Sequence, residues 1–292
     1  IAIKSIFTER SILLDLILYN AIWICAAAAI AQSPLTNDPV ALATSSLAIA
    51  FWGVGSILNS YSDFYPLPPS SQLFAQLSYT FFYPLALIAI PRSLSRGRKL
   101  NPLELLDSAI FGLGISSIAT ALFINRVFPQ SLINLQDQFF SLLFPICDLL
   151  LLIVAAVALV THRLHKRAAL LFLGIALFSM SDLLYLWLAV NGSYQFGQLT
   201  DDGWLIGIVL IASSFWLPQG KSDHDVGIHP AFLALSIFIS PTLLALIALR
   251  PGIFPIYIVA PAVATLFMAF FRMSIVIRQA KNLGEEKVLA RT

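Results

Sequence analysis

The sequence predicts an all-α polytopic membrane protein: a bundle of about nine transmembrane helices followed by a polar C-terminal helix. Hydrophobic residues make up 59% of the 292-residue chain and charged residues 11%, whereas soluble domains have about 45–50% and about 25%. Nine apolar runs reach or approach the roughly 20 residues needed to cross a bilayer. The runs are continuous, not alternating, which argues against a β-barrel. Helices are favoured because each one satisfies its own backbone hydrogen bonds in lipid.

Short polar loops separate the nine runs, so the order of spans can be read directly from the sequence. Residues 1–271 are predicted to form one transmembrane domain, and residues 272–292 a polar linker helix. The runs lie near residues 11–32, 39–60, 73–91, 103–124, 139–161, 168–190, 203–218, 230–249 and 252–271.

The basic residues are distributed unequally between the two predicted sides of the membrane. If nine helices alternate in direction, the loops 92–99 and 162–167, Lys221 and the tail lie on one side. That side holds 13 of the 17 Lys and Arg residues, and the positive-inside rule makes it cytoplasmic. The C-terminus is therefore expected in the cytoplasm. Nucleic acid is not an expected partner, because no basic face is interleaved with aromatic residues.

The charged tail from Arg272 is expected to continue the last apolar run as a helix. Met273, Val276, Ala280 and Leu283 follow the three–four spacing of a coiled-coil seam, which would allow a homodimer. The same spacing suits a monomeric amphipathic helix lying on anionic headgroups. Both interpretations remain open at this stage.

Two aspartates inside the membrane runs are the main candidates for chemistry. Asp148 and Asp182 each lie about 13–14 residues from the cytoplasmic end of their runs, or roughly 20 Å deep. A short loop joins the two runs, so the helices are expected to be neighbours. A charge at this depth costs several kcal/mol unless it is neutralised or paired. The pair predicts a site for a ligand, proton or cation, or alternatively a structural interhelical hydrogen bond.

Polar and proline residues surround these acids in the predicted bundle. Proline in a membrane helix is expected to produce a kink, and three prolines follow an aromatic residue in runs that share one direction. The kink candidates are Pro84, Pro145 and Pro255. The polar neighbours expected at the two acids are Tyr79, Tyr83, Ser181 and Tyr185.

Other acidic residues lie near the ends of predicted helices. Asp107 opens the fourth run, where it can complement the helix dipole or pair with the basic loop before it. Asp201 and Asp202 precede Trp204 and are expected to cap the seventh run. The acidic and histidine residues of 221–229 match no closed metal-ligand set. No nucleophile, phosphate-loop or dinucleotide motif is present, so no catalytic residue, metal or cofactor is assigned to this chain.

Several short motifs together resemble one family. They are Tyr79 with Tyr83-Pro84-Leu85, Leu106-Asp107, Phe144-Pro145-Ile146-Cys147-Asp148-Leu149-Leu150, Asp182 with Tyr185, Gly192-Ser193-Tyr194, Asp202-Gly203-Trp204 and the charged stretch from Glu285 to Thr292. In this respect the chain is similar to the multi-helix N-terminal membrane region of bacterial GGDEF and GGDEF/EAL signalling proteins. Asp107, Asp202 and Trp204 belong to the shared pattern without an assigned role.

The resemblance implies a sensory input module in the bacterial inner membrane. The output would be a cyclic di-GMP enzyme, a diguanylate cyclase or a phosphodiesterase, following Thr292. The chain itself would then not be an enzyme. Two alternatives are a proton- or cation-coupled small-molecule transporter, which paired acids and proline-broken helices suit, and an accessory subunit of a membrane complex.

Overall fold

A computed structural model describes residues 11–94, 102–119, 135–161, 165–218 and 259–289, together with a few residues between 237 and 249. All of the regular structure in these residues is helical. A short π-helical turn, Ile12–Leu18, leads into α1. The α-helices are α1 (Tyr19–Ala31), α2 (Pro39–Ser62), α3 (Ser70–Leu94), α4 (Pro102–Ala119), α5 (Leu135–Thr161), α6 (Lys166–Val190), α7 (Leu199–Ser214) and α8 (Val259–Leu289).

Several described helices are long and apolar enough to cross a membrane, which confirms the prediction of a helical membrane protein in its general form. Five such spans lie in the described residues: Ile12–Ala31, Pro39–Ser62, Ser70–Leu94, Lys166–Ala189 and Pro261–Asn282. The number of nine spans is not confirmed, and most of the predicted eighth run lies outside the described residues. Large apolar side chains are exposed on these helices, as lipid contact requires; examples are Phe74, Phe81, Leu173, Met180 and Trp187.

Six helices form one compact unit, in which each helix packs against the next to close a ring. The neighbouring pairs are α1–α2, α2–α3, α3–α5, α5–α6, α6–α7 and α7–α1. Aromatic side chains meet inside the ring: Trp52 of α2 contacts Phe178 of α6 and Trp204 of α7, with ring centroids 5.8 and 6.3 Å apart. Closure brings side chains from distant parts of the sequence to one interior.

Small residues allow α6 and α7 to approach very closely inside this ring. A Cβ atom added to Gly207 would lie 2.8 Å from the carbonyl oxygen of Gly174, and one added to Gly203 would meet the Ser181 hydroxyl. Gly203 and Gly207 are four residues apart and so share one face of α7. Such spacing of small residues is typical of tight packing between membrane helices.

The second compact unit contains α4 and α8, which pack against each other. Arg272 of α8 forms an ion pair with Asp107 of α4. Among the described residues, the partner of Asp107 is therefore this distant arginine; the preceding basic loop, 95–101, lies outside them. Helix α8 continues without a break from the apolar segment through Arg272 to Leu289.

Two of the three prolines that were predicted to kink their helices lie in residues that the structure describes. Pro84 and Pro145 both lie inside continuous helices, α3 and α5, and α3 also contains Pro91. Pro255 lies outside the described residues. Each internal proline leaves one backbone carbonyl in the preceding turn without its helical donor.

Candidate functional site

A cavity of about 600 Å³ occupies one end of the six-helix ring. Its rim includes Asn59 and Asp63 at the end of α2 and Pro68 just before α3, and its floor reaches Asp182 in the interior. Pockets for small organic ligands commonly measure about 300–1,000 Å³ and combine apolar walls with a few polar groups. This cavity fits that description.

The carboxyl groups of Asp148 and Asp182 lie together at the floor. Tyr83 Oη is 3.2 Å from Asp148 Oδ1 and 3.2 Å from Asp182 Oδ2, so this one hydroxyl group bridges the two carboxyl groups. A tyrosine hydroxyl group has one proton to donate, so Tyr83 can donate to either carboxyl group but not to both at once. Tyr83, Asp148 and Asp182 therefore form a single network at the floor of the cavity.

The network is fixed by donors from several helices. Trp204 Nε1 of α7 donates to Asp182 Oδ1 at 2.7 Å, and Ser179 Oγ of α6 donates to the backbone oxygen of Asp148 at 3.4 Å. Asp148 is fully buried. With Tyr83 on α3, the network joins four helices, α3, α5, α6 and α7. A ligand that disturbed it would act on all four.

Aromatic rings form much of the cavity wall. Tyr185 lies between Trp204 and Tyr194, with ring centroids 5.5 and 4.6 Å away, and Tyr79 lies 6.3 Å from Trp52. All five of these rings line the cavity. The described residues that line it include three aspartates, Asp63, Asp182 and Asp201, and no lysine, arginine or histidine.

Asp201 organises the loop that borders the cavity between α6 and α7. Its carboxylate accepts hydrogen bonds from the Gly197 and Gln198 backbone N–H groups and from Tyr194 Oη at 2.9 Å. Burial, and then the negative charge of Asp201, raise the pKa of Tyr194 well above its ordinary value. Tyr194 therefore stays a neutral donor across the physiological range, and the loop is held in place.

The predicted polar neighbours take different positions. Tyr83 contacts both acids directly, whereas Tyr79 accepts a hydrogen bond from Asn59 at 3.0 Å and lines the cavity above them. Tyr185 also lines the cavity. The Ser181 hydroxyl bonds back to the Leu177 carbonyl of its own helix, so it does not contact the acids. This back-bonding is common for serine inside a membrane helix.

The two aspartates that were predicted to cap the seventh run, Asp201 and Asp202, take different positions. Asp201 accepts the backbone hydrogen bonds that precede α7, while Asp202 lies one residue further into the helix and does not line the cavity. Trp204, a position of the shared pattern without an assigned role, points into the ring and donates a hydrogen bond to Asp182. The sequence signal for this inward position was the pair Gly203 and Gly207, which fixes the face of α7 that meets α6.

Polar contacts, some of them buried, join the helix ends at the opposite end of the six-helix unit. Arg92 at the end of α3 donates to Asp38, the N-cap of α2, with Nη2 2.9 Å from Oδ1, and Asp38 also accepts from the Val40 and Ala41 backbone. Burial raises the pKa of Asp38, but these hydrogen bonds, led by that from Arg92, outweigh it, so the pKa lies below its ordinary value. Sequence reasoning did not find this contact.

Arg167 closes the same end beside that ion pair. Its guanidinium is almost fully buried and donates to Thr36 Oγ1 at 2.6 Å and to the Leu217 carbonyl oxygen at 3.2 Å. It also lies 5.2 Å from the centre of the Phe215 ring. One side chain therefore ties the start of α6 to the α1–α2 loop and to the segment after α7.

No family model, curated protein or solved structure matches this chain.

Proposed function

We propose that this chain is the membrane-embedded sensory module of a bacterial signalling protein. In this proposal, the cavity of the six-helix unit binds a small molecule, and a cytoplasmic cyclic di-GMP enzyme of the GGDEF type responds. The observation that carries the sensory part is the Tyr83–Asp148–Asp182–Trp204 network, which joins four helices at the cavity floor. A ligand that favours one arrangement of these helices shifts the population of the bundle.

The output part of the proposal rests on the resemblance of the short motifs and on the form of α8. About 25 Å of helix follows Arg272 at 1.5 Å per residue, and it continues the apolar segment without interruption. A continuous helix is a suitable mechanical link between a membrane bundle and a following domain. Paired α8 helices in a homodimer would bring two such domains together, as the resemblance implies for a GGDEF enzyme.

The proposed topology has nine spans, with the basic loops and the C-terminus in the cytoplasm of a bacterial inner membrane. It rests on the distribution of 13 of the 17 Lys and Arg residues to one side. Arg92, Lys166 and Arg167 lie at the closed end of the six-helix unit. In this orientation the cavity opens away from the cytoplasm.

The proposal is tested in a host of low cyclic di-GMP by expressing the full native reading frame that contains these residues. We expect a GGDEF or EAL domain after Thr292 and a cellular cyclic di-GMP level that changes at least threefold in Asp182→Asn. The matched control is Asp202→Asn, which removes a nearby carboxylate that does not line the cavity. Absence of any such domain, or equal levels in all three proteins, would overturn the proposal.

A transporter is the second candidate, and the buried carboxyl pair is the observation that favours it, since such pairs can carry protons. Transport also requires access from the other side of the membrane, where Asp38–Arg92 and Arg167 close the unit. Substrate-dependent proton uptake into vesicles, lost in Asp148→Asn, would support this function. The one-sided cavity makes the sensor the better account.

A further inference from the structure

Among the described residues, the ionisable side chains that line the cavity carry charge of one sign only. Three aspartates are among its described lining residues and no basic side chain is. Asp148 and Asp182 share the hydroxyl group of Tyr83, so the floor of the cavity carries a negative charge whenever either acid is ionised. Tyr83 and Trp204 donate to Asp182 but both are neutral, and a positive group compensates a partly buried carboxylate more strongly than neutral donors do. A cationic ligand would supply that positive group at Asp182.

The walls suit the same kind of ligand. Trp204 and Tyr185 stand beside Asp182, with their rings 5.5 Å apart, and Trp52 is 6.3 Å from Trp204. The faces of tryptophan and tyrosine rings attract cations, most strongly when water is excluded. An ammonium group between a carboxylate and these rings gains both interactions at once.

Size and donor chemistry narrow the class further. A cavity of about 600 Å³ is far larger than a metal ion, and the described residues contain no group of three or more His, Cys, Asp or Glu side chains that could hold one. Phosphates and carboxylates are disfavoured, because the lining presents acidic groups to them. An organic cation with an apolar or aromatic body fits all of these features.

We propose that this cavity binds a small organic amine, with its ammonium group held between the Asp182 carboxylate and the rings of Trp204 and Tyr185, and its apolar body against Trp52 and Tyr79. This inference rests on the proposed sensory function in one respect only, namely that the bound amine would be the stimulus. Binding itself depends on the cavity alone, and so the two can fail separately.

The test uses three probes of matched size: phenethylamine, which is cationic at pH 7, 2-phenylethanol, which is neutral, and 3-phenylpropionate, which is anionic. The purified chain is kept in maltoside detergent and phosphate buffer, since neither supplies a competing ammonium group. Binding is followed by isothermal titration calorimetry and by quenching of tryptophan fluorescence. We expect phenethylamine to bind at least tenfold more tightly than the other two.

Two variants and a control locate the bound amine. Asp182→Asn should abolish the preference for the cation. Tyr185→Leu should weaken the binding of phenethylamine about tenfold, and the protein should still fold because Tyr185 is partly exposed. Asp202→Asn should bind within twofold of the wild type. Equal binding of the three probes, no binding of phenethylamine, or unchanged affinity in Tyr185→Leu overturns the inference.

The result also separates the ligand class from the sensory function. If phenethylamine does not bind but Asp182→Asn still changes cellular cyclic di-GMP, the inference fails and the sensor proposal stands. If phenethylamine binds as expected and the native protein has no cyclic di-GMP output, the inference stands and the sensor proposal fails.

Discussion

Trp204 Nε1 lies 2.7 Å from Asp182 Oδ1, and this hydrogen bond joins α7 to the carboxyl pair at the centre of the six-helix ring. The donor lies on α7 and the acceptor on α6, and Tyr83 of α3 contacts the other oxygen of the same carboxyl group. Both oxygens of Asp182 are therefore occupied by groups from other helices. The orientation of this side chain depends on the packing of α6 against α7.

Replacing Trp204 by phenylalanine should show how much this hydrogen bond contributes to the stability of the fold. Trp204→Phe keeps an aromatic ring and removes the donor, so Asp182 loses a partly buried hydrogen bond. We expect a loss of about 1–3 kcal/mol in the free energy of unfolding, measured as a lower Tm in detergent. The matched control is Trp216→Phe, because Trp216 Nε1 also donates, to the Ala29 carbonyl, but on the exposed surface. Equal losses in the two variants would contradict the prediction.

The proximity of Asp148 and Asp182 could be predicted from the sequence because two local quantities determined it. Their distances from the helix ends gave the same depth, and the short loop between α5 and α6 made the helices neighbours. To predict the inward position of Trp204, one would also have to know how α7 is rotated about its own axis. That rotation depends on the close contact of Gly207 with Gly174, and the spacing of Gly203 and Gly207 was the available signal.

Other contacts could not be predicted, because no local sequence pattern indicates them. Asp38 and Arg92 are separated by two long helices, and their ion pair exists because α2 and α3 are antiparallel and of similar length. The pairing of α1 with α7 closes the ring across most of the chain, and loop lengths say nothing about it. The cavity is a consequence of this closure, so its presence could not be read from any one apolar run.

The glycine contact between α6 and α7 provides a second test. Gly207→Ala places a methyl group about 2.8 Å from a backbone oxygen of α6, and the backbone cannot move aside without separating the helices. We expect a loss of about 1–3 kcal/mol, typical of overpacking, together with altered tryptophan fluorescence as Trp204 shifts. Val209→Ala changes an exposed position of the same helix and should have little effect. A wild-type Tm and spectrum in Gly207→Ala would show that this contact is not tight.

The Asp38–Arg92 ion pair should make stability depend on pH in a defined window. The folded pKa of Asp38 lies below the ordinary value, which is about 3.9 for an unfolded chain. Its contribution is therefore present above about pH 4 and is lost as the pH falls through the folded pKa. Asp38→Asn keeps an acceptor for the backbone of α2 and removes the charge, while Asp38→Ala removes both.

We expect Asp38→Asn to lower the Tm at pH 7 and the difference from wild type to shrink below about pH 4. Asp38→Ala should cost about 1 kcal/mol more, because the N-cap is also lost. The control is Asp63→Asn, an exposed carboxylate at the other end of α2. A difference between Asp38→Asn and wild type that stays constant from pH 7 to pH 3 would contradict the role assigned to the ion pair.

The pair of Asp107 with Arg272 can be tested by exchanging the charges. Both side chains are partly exposed, at 19% and 29%, so a coupling of about 1 kcal/mol is expected. Asp107→Arg and Arg272→Asp should each lower the Tm, and the double variant should recover part of the loss. Strictly additive losses in this double-mutant cycle would show that the two groups do not interact in the membrane.

The C-terminal helix allows a direct test of the homodimer. On the seam interpretation, Ala280 faces the partner helix, whereas Arg278 lies on the far side; both are exposed in the single chain. Ala280→Cys in native membranes should form a disulfide-linked dimer within minutes of mild oxidation, because paired seam positions bring two thiols close together. Arg278→Cys is the matched control and should crosslink at least tenfold more slowly. Equal rates at the two positions would favour an α8 that lies alone on the lipid surface, since a monomeric helix has no preferred face toward a second copy.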